Sequence, residues 1–147
     1  MSHSFTKIWI HAVFSTKDRS QLITSKFESK LHDHIKTAIL EQFKMEVKAI
    51  NGMAEHIHIV FRLNPNFSIM DIMKYIKGES SHWVNSNNFT GFKFAWQTGY
   101  SAFSVSESML EAVVKYVDNQ KEHHKKVSFA EEYEQFMRKY GNDIVNR

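Results

Sequence analysis

The chain has 147 residues, 42% of them hydrophobic, with 12 Phe, 3 Trp, five Gly and one Pro. That composition suits a single folded domain over 1–147 and excludes collagen-like and low-complexity chains. The absence of Cys excludes disulfides, thiolate zinc sites and cysteine nucleophiles together and suits a reducing cytoplasm, while a net charge of +3 permits a nucleic-acid partner without demanding one.

Phe5 to Ser15 alternates, with Ile8, Ile10, Ala12 and Phe14 on one face, and predicts a strand. Ser25-x-x-Glu28 has the form of a capping box opening a helix to about Phe43. Lys44 to Ile50 and Glu55 to Leu63 predict two strands joined around Asn51-Gly52, a hairpin signal. Ser68-x-x-Asp71 opens a helix running through Trp83 and Val84, and Asn85 to Gly91 predicts a loop. Tyr100 to Val105 predicts a short strand. Ser106 caps a helix from Glu107 to about His124, and Ser128-x-x-Glu131 caps a last helix that stops at Gly141.

The order is β-α-β-β-α-β followed by two helices. It predicts an α+β fold of the ferredoxin-like split βαβ type: an antiparallel sheet with extra C-terminal helices. No apolar run reaches the ~20 residues that span a bilayer. Met1 to Phe5 lacks signal-peptide anatomy. No Gly-rich phosphate loop is present, so neither a membrane nor a nucleotide cofactor is expected.

In the third predicted strand, Ile57, Ile59, Phe61 and Leu63 point one way and His56, His58, Val60 and Arg62 the other. Two imidazoles at i and i+2 on one strand face can share a divalent cation. With nine His in the chain, a single His-x-His also fits two ordinary half-exposed residues. In the helix from Glu107, Met109, Leu110, Val113, Val114 and Val117 form one apolar stripe. Gln120 falls inside that stripe and Tyr116 lies at its edge, one turn earlier. A carboxamide facing a core needs a hydrogen-bond partner or a cation, unless the helix frays there and the amide meets water. Tyr116 by itself reads equally as a packing aromatic with its hydroxyl at the rim. His123 and His124, beside Lys125 and Lys126, read as solvated residues that complement a helix dipole. His11 on the first strand can approach the histidine pair, because first and third strands are neighbours in this topology. Tyr75, Lys77 and His82 read as surface or boundary residues, and Tyr100 is the second choice of nucleophile.

Several segments together carry a family resemblance. They are Phe14-Ser-Thr-Lys17-x-Arg19, Glu55-His-Ile-His58, Tyr75-Ile-Lys-Gly-Glu-Ser-Ser81, Trp96-Gln-Thr-Gly-Tyr100 with Phe103 and Val105, and Tyr116-Val-Asp-Asn-Gln120. The chain resembles, over nearly its whole length, the single-tyrosine transposases of bacterial insertion sequences (the insertion-sequence 200/605 type), members of the HUH nuclease superfamily. The resemblance implies that His56 and His58 are metal ligands, Gln120 the third protein ligand and Tyr116 the nucleophile. It implies Mg²⁺ or Mn²⁺ as cofactor, single-stranded DNA with hairpins at the element ends as substrate, and a homodimer. It implies metal-dependent strand cleavage and transfer through a 5′-phosphotyrosine, a covalent link that retains the bond energy for rejoining. Lys17, Arg19, Arg62 and Lys121 are candidates for DNA contact, although the residues themselves do not single out which side chains read bases. Other readings are a domesticated nuclease that cuts repeat hairpins, a non-catalytic nucleic-acid-binding module, and a small metalloenzyme with another substrate.

Overall fold

Unbroken burial along residues 9–14 places this segment at the middle of a sheet, where both faces need covering. In the computed structural model, which describes residues 3–141, the first strand, β1 (Trp9–Ser15), pairs antiparallel with β3 (His56–Arg62) on one side and with β4 (Ser101–Val105) on the other. β2 (Val47–Met53) flanks β3, giving the order β2-β3-β1-β4. Two long helices, α1 (Glu28–Phe43) and α2 (Ile69–Ser86), complete a ferredoxin-like β-α-β-β-α-β arrangement. The expected α+β class and strand adjacency are therefore present. The expected domain limits of 1–147 extend at both ends beyond the described residues.

Register sorts the side chains. Ile10 faces Phe61, Ala12 faces Ile59 and Phe14 faces Ile57. These six pack with Leu31, Ile35 and Ile39 of α1 and Ile72, Met73 and Ile76 of α2 in the main core. Burying side chains of this size stabilises by about 1.5–3 kcal/mol each. The opposite face pairs Trp9 with Arg62, His11 with Val60 and Val13 with His58. A second, smaller core forms there from Trp9, Ala49 and Val60, with Leu110 and Val117 of α3 (Leu110–Asp118). Next come a four-residue helical turn, α4 (Gln120–His123), and α5 (Phe129–Phe136), which continues as a π-type turn over Met137–Gly141. The second face is thus roofed by the C-terminal helices. Among the described residues no helix is long and apolar enough to cross a membrane.

Three local expectations differ from the structure. α1 begins at Glu28 with Phe27 at its N-cap position and no side-chain cap; Ser25 lies in a preceding turn instead of capping. Burial of Phe27 in the core outweighs the loss of one capping hydrogen bond. The hairpin turn falls at Ala54-Glu55, with Asn51 and Gly52 inside β2 opposite His58 and Ile57. Glycine is needed there for space: a Cβ on Gly52 would land on the His56 carbonyl oxygen. The helix expected over Glu107–His124 is a 3₁₀ turn (Glu107–Met109), then α3, then a break at Asn119 before α4. Met109, expected in the apolar stripe, is about half exposed.

Candidate metal centre and tyrosine site

His56 and His58 both project from β3 toward the C-terminal helices and are fully buried. Each has its outer ring nitrogen held by a neighbour. His56 Nδ1 lies 2.7 Å from Glu55 Oε1, and His58 Nδ1 lies 2.8 Å from His11 Nε2. Such partners fix ring orientation and leave both Nε2 atoms aimed inward. Gln120, the first residue of α4, is also fully buried, with Oε1 3.0 Å from His56 Nε2.

The convergence point is a carboxylate from α5. Glu132 Oε1 lies 2.8 Å from His58 Nε2 and 3.5 Å from His56 Nε2. Its Oε2 accepts hydrogen bonds from the Tyr116 hydroxyl and, at 3.2 Å, from the Gln120 amide. His123 and His124 bring their Nε2 atoms to 3.2 Å from the same oxygen. The expectation that both are solvated is corrected: the His124 side chain is 4% exposed, and His123, at 24%, also has its Nε2 buried. The break at Asn119 turns His124 inward.

Packing explains these positions. Leu110 and Val117 anchor α3, which leaves Tyr116 at the rim of the small core. Lys121 ties α4 to the sheet and to α1, donating to the Gly52 carbonyl and, at 3.1 Å each, to Asn51 Oδ1 and Glu28 Oε2. On α5, Ser128 caps the N-terminus by accepting from the Glu131 amide, and Phe129 stacks on the His56 ring at 4.1 Å. The Arg19 guanidinium sits over the rings of Phe129 and Tyr133, at 5.2 and 5.6 Å from their centroids. Cation–π contacts of this kind hold the helix against the loop after β1. A groove of about 590 Å³ runs beside β4 and α3 to the tyrosine, lined by Phe103, Val105, Val113, Tyr116 and Phe136.

The electrostatics centre on one buried carboxylate among imidazoles, a phenol and an amide. Burial alone would raise the Glu132 pKa. The hydrogen bond from His58, the nearby imidazoles and the Tyr116 hydroxyl reverse this and hold it well below the usual carboxylate range. Burial, then the adjacent Glu132 carboxylate, pushes the Tyr116 phenol upward. Burial lowers His58 and His124, and it takes His11, with help from His58, down to about 3.

This donor set fits a divalent cation. His56 Nδ1 faces the Glu55 carboxylate, and its Nε2 lies 3.0 Å from the Gln120 oxygen. Two imidazole nitrogens, an amide oxygen and a carboxylate facing one small volume form a set that a cation can share. The buried Nε2 of His124 has no hydrogen-bond partner. Ligand atoms of His56, His58, His124 and Glu132 lie within 4.8 Å of one another.

The structure thus brings His56, His58, Gln120 and Tyr116 together. Of the DNA-contact candidates, Lys17 and Arg19 lie exposed on a 3₁₀ turn after β1. Arg62 is away from the cluster at the other end of β3, donating to the Thr6 carbonyl at 2.8 Å. Lys121 is occupied as an anchor. Tyr100 lines a separate groove with Gln97, Gly99 and Tyr133. Sequence reasoning missed Glu132, His124 and the supporting role of Glu55. One signal for Glu132 was available, because it shares the apolar stripe of Phe129 and Phe136, as Gln120 shares that of α3.

A ferredoxin-like sheet with one face roofed by a tyrosine-bearing helix is an architecture found among transposases. A Deinococcus radiodurans crystal structure assigned as a transposase is 25% identical, with a TM-score of 0.63 over 82% of this chain and 95% of that one. A REP-associated tyrosine transposase bound to a REP hairpin shares the fold at 20% identity, with a TM-score of 0.62 over 86% of this chain and 76% of the other. The family model "Transposase IS200 like" matches residues 4–120, and the chain belongs to that family of DNA transposases. The ISDra2 transposase TnpA of Deinococcus radiodurans is 25% identical over 116 residues, 75% of this chain and 81% of its own.

Proposed function

We propose that this transposase cuts and rejoins single-stranded DNA through a phosphotyrosine on Tyr116, with a divalent ion, Mg²⁺ or Mn²⁺, held by His56, His58 and Gln120. The observation that carries the reading is the hub at Glu132: one carboxylate contacts His58 and the Tyr116 hydroxyl, so phenol and imidazoles share one small volume. The phenol lies beside the histidines of its own chain.

When bound, the ion supplies positive charge against that developing on the phosphate oxygens. The protein's part is positioning. α3 presents the Tyr116 oxygen at the end of the groove, where it can meet phosphorus in line. An O–P bond forms to the tyrosine, the P–O3′ bond breaks, and the departing 3′-oxygen takes up the proton that the phenol gives up, leaving a free 3′-hydroxyl. The phenolic proton lies in a hydrogen bond to Glu132 Oε2, the acceptor already in place. A later 3′-hydroxyl reverses the step and joins strands. Excision requires two cuts, and one tyrosine per chain therefore implies a homodimer acting on hairpin-bearing element ends.

The test is incubation of the protein with labelled single-stranded element ends and Mn²⁺. A covalent protein–DNA adduct forms with the wild type, is lost with Tyr116→Phe and is lost on chelation. An adduct that persists in Tyr116→Phe refutes the assignment and directs attention to Tyr100.

A further inference from the structure

We propose that the chain after Gln120 completes the metal centre: Glu132 of α5 is a carboxylate ligand and His124, at the end of α4, a third imidazole ligand to the ion. This rests on the reading of His56 and His58 as ligands and extends it. Glu132 and His124 both lie beyond residue 120, where the family match ends.

Distance is the first argument. Ligand atoms about 2.1 Å from one ion, at 90–110° to each other, stand about 3.0–3.4 Å apart. Glu132 Oε1 is 2.8 Å from His58 Nε2 and 3.5 Å from His56 Nε2, while its Oε2 is 3.2 Å from His124 Nε2. The Oε1 spacings bracket that range, so this carboxylate stands beside the positions that His56 and His58 would take as ligands of one cation. Burial is the second argument. Glu132 is 1% exposed and faces imidazoles, the Tyr116 hydroxyl and the Gln120 amide, with no Lys or Arg paired to it among the described residues. A buried carboxylate without a permanent countercharge is costly, and a divalent ion supplies one. The third is the buried Nε2 of His124, which lies beside this carboxylate without a hydrogen-bond partner.

Chemistry then narrows the ion. With the Gln120 carboxamide, three imidazoles and one carboxylate still form a set richer in nitrogen than Mg²⁺ prefers, which favours Mn²⁺ and the later first-row ions. α5 thereby links metal occupancy to Tyr116, because Oε1 faces the ion while Oε2 receives the phenol.

The experiment is titration of the purified, chelator-treated protein with Mn²⁺, followed by calorimetry and by the electron paramagnetic resonance of free Mn²⁺. Glu132→Gln and His124→Ala are each expected to weaken Mn²⁺ binding about tenfold or more. Glu131→Gln, an exposed change on the same helix, leaves it unaltered. About a tenfold excess of Mg²⁺ fails to displace bound Mn²⁺. Circular dichroism of each metal-free variant confirms that α5 remains folded. Binding by Glu132→Gln that equals or exceeds the wild type overturns the proposal; tighter binding would identify the carboxylate as a plug that the ion displaces. Displacement by that Mg²⁺ excess overturns the assigned ion class. His56→Ala separates the two readings. If it abolishes binding while Glu132→Gln does not, only the Glu132 ligand fails; if neither matters, the centre itself is misplaced.

Discussion

His11 and His58, on adjacent strands and 47 positions apart, share a 2.8 Å contact between Nε2 of the first and Nδ1 of the second. Their rings stack at 5.1 Å. The partner that orients a ligand imidazole is usually a carboxylate or a carbonyl; here it is a second buried imidazole, kept neutral by burial. His11→Ala leaves His58 free to rotate. Metal affinity is expected to fall about tenfold, at the low end of the range for supporting residues. Calorimetric Mn²⁺ titration reads the change, and an unchanged affinity would show that strand packing alone orients His58.

Gly52 allows β2 to pass close to the backbone of His56. Gly52→Ala puts a methyl group against a carbonyl that cannot move without shifting the ligand strand. The expected cost is about 1–3 kcal/mol of stability, typical of overpacking, together with weaker metal binding because His56 moves. Denaturant unfolding and metal titration of the same variant measure both, and a normal unfolding midpoint contradicts the argument.

Lys121 was a candidate for DNA contact, yet its amine is engaged with Glu28, Asn51 and Gly52. Lys121→Met is therefore expected to lower stability by roughly 1 kcal/mol, the scale of a charge-assisted hydrogen bond that is partly exposed. It should leave the salt dependence of single-stranded DNA binding unchanged. A reduction of the salt slope by about one would instead mark it as a phosphate contact.

His32 on α1 is buried, with an Nε2 atom that has no hydrogen-bond partner. Burial, aided by Lys121 and opposed by Glu28 and Asp33, lowers its pKa from 6.5. The unfolded chain therefore takes up this proton first as pH falls. The His32 contribution to stability is complete above pH 6.5 and is lost progressively below it. In chelator, His32→Leu should show a smaller drop in melting temperature between neutral and mildly acidic pH than the wild type. Parallel profiles would rule out His32 as a source of the acid sensitivity.

Much of the architecture was legible because burial imposes period 2 on strands and period 3.6 on helices. The faces of β1 and β3 and the helix after Ser68 follow from those periods alone, and the apolar stripe offered the burial of Gln120 as one of two readings. Local signals were less dependable. The Ser25 box and the Asn51-Gly52 pair both have the right residues, but the burial of Phe27 and the pairing of β2 with β3 fixed the boundaries elsewhere. The break at Asn119 left no apolar signature, so His124 read as an exposed helix end.

What the sequence determined by itself was the family, the strand adjacency and the placing of two imidazoles on one strand face, with a tyrosine and a glutamine four residues apart. These depend on periodicity and on motif spacing within single elements. Only the tertiary structure decided that the last helix folds back over that face and inserts Glu132 among the histidines. That placement arises from long-range packing: Phe129 on His56, Arg19 over Phe129 and Tyr133, and the small core beneath α3. The residues involved are separated by up to a hundred positions or more, and no local pattern encodes which of them will meet.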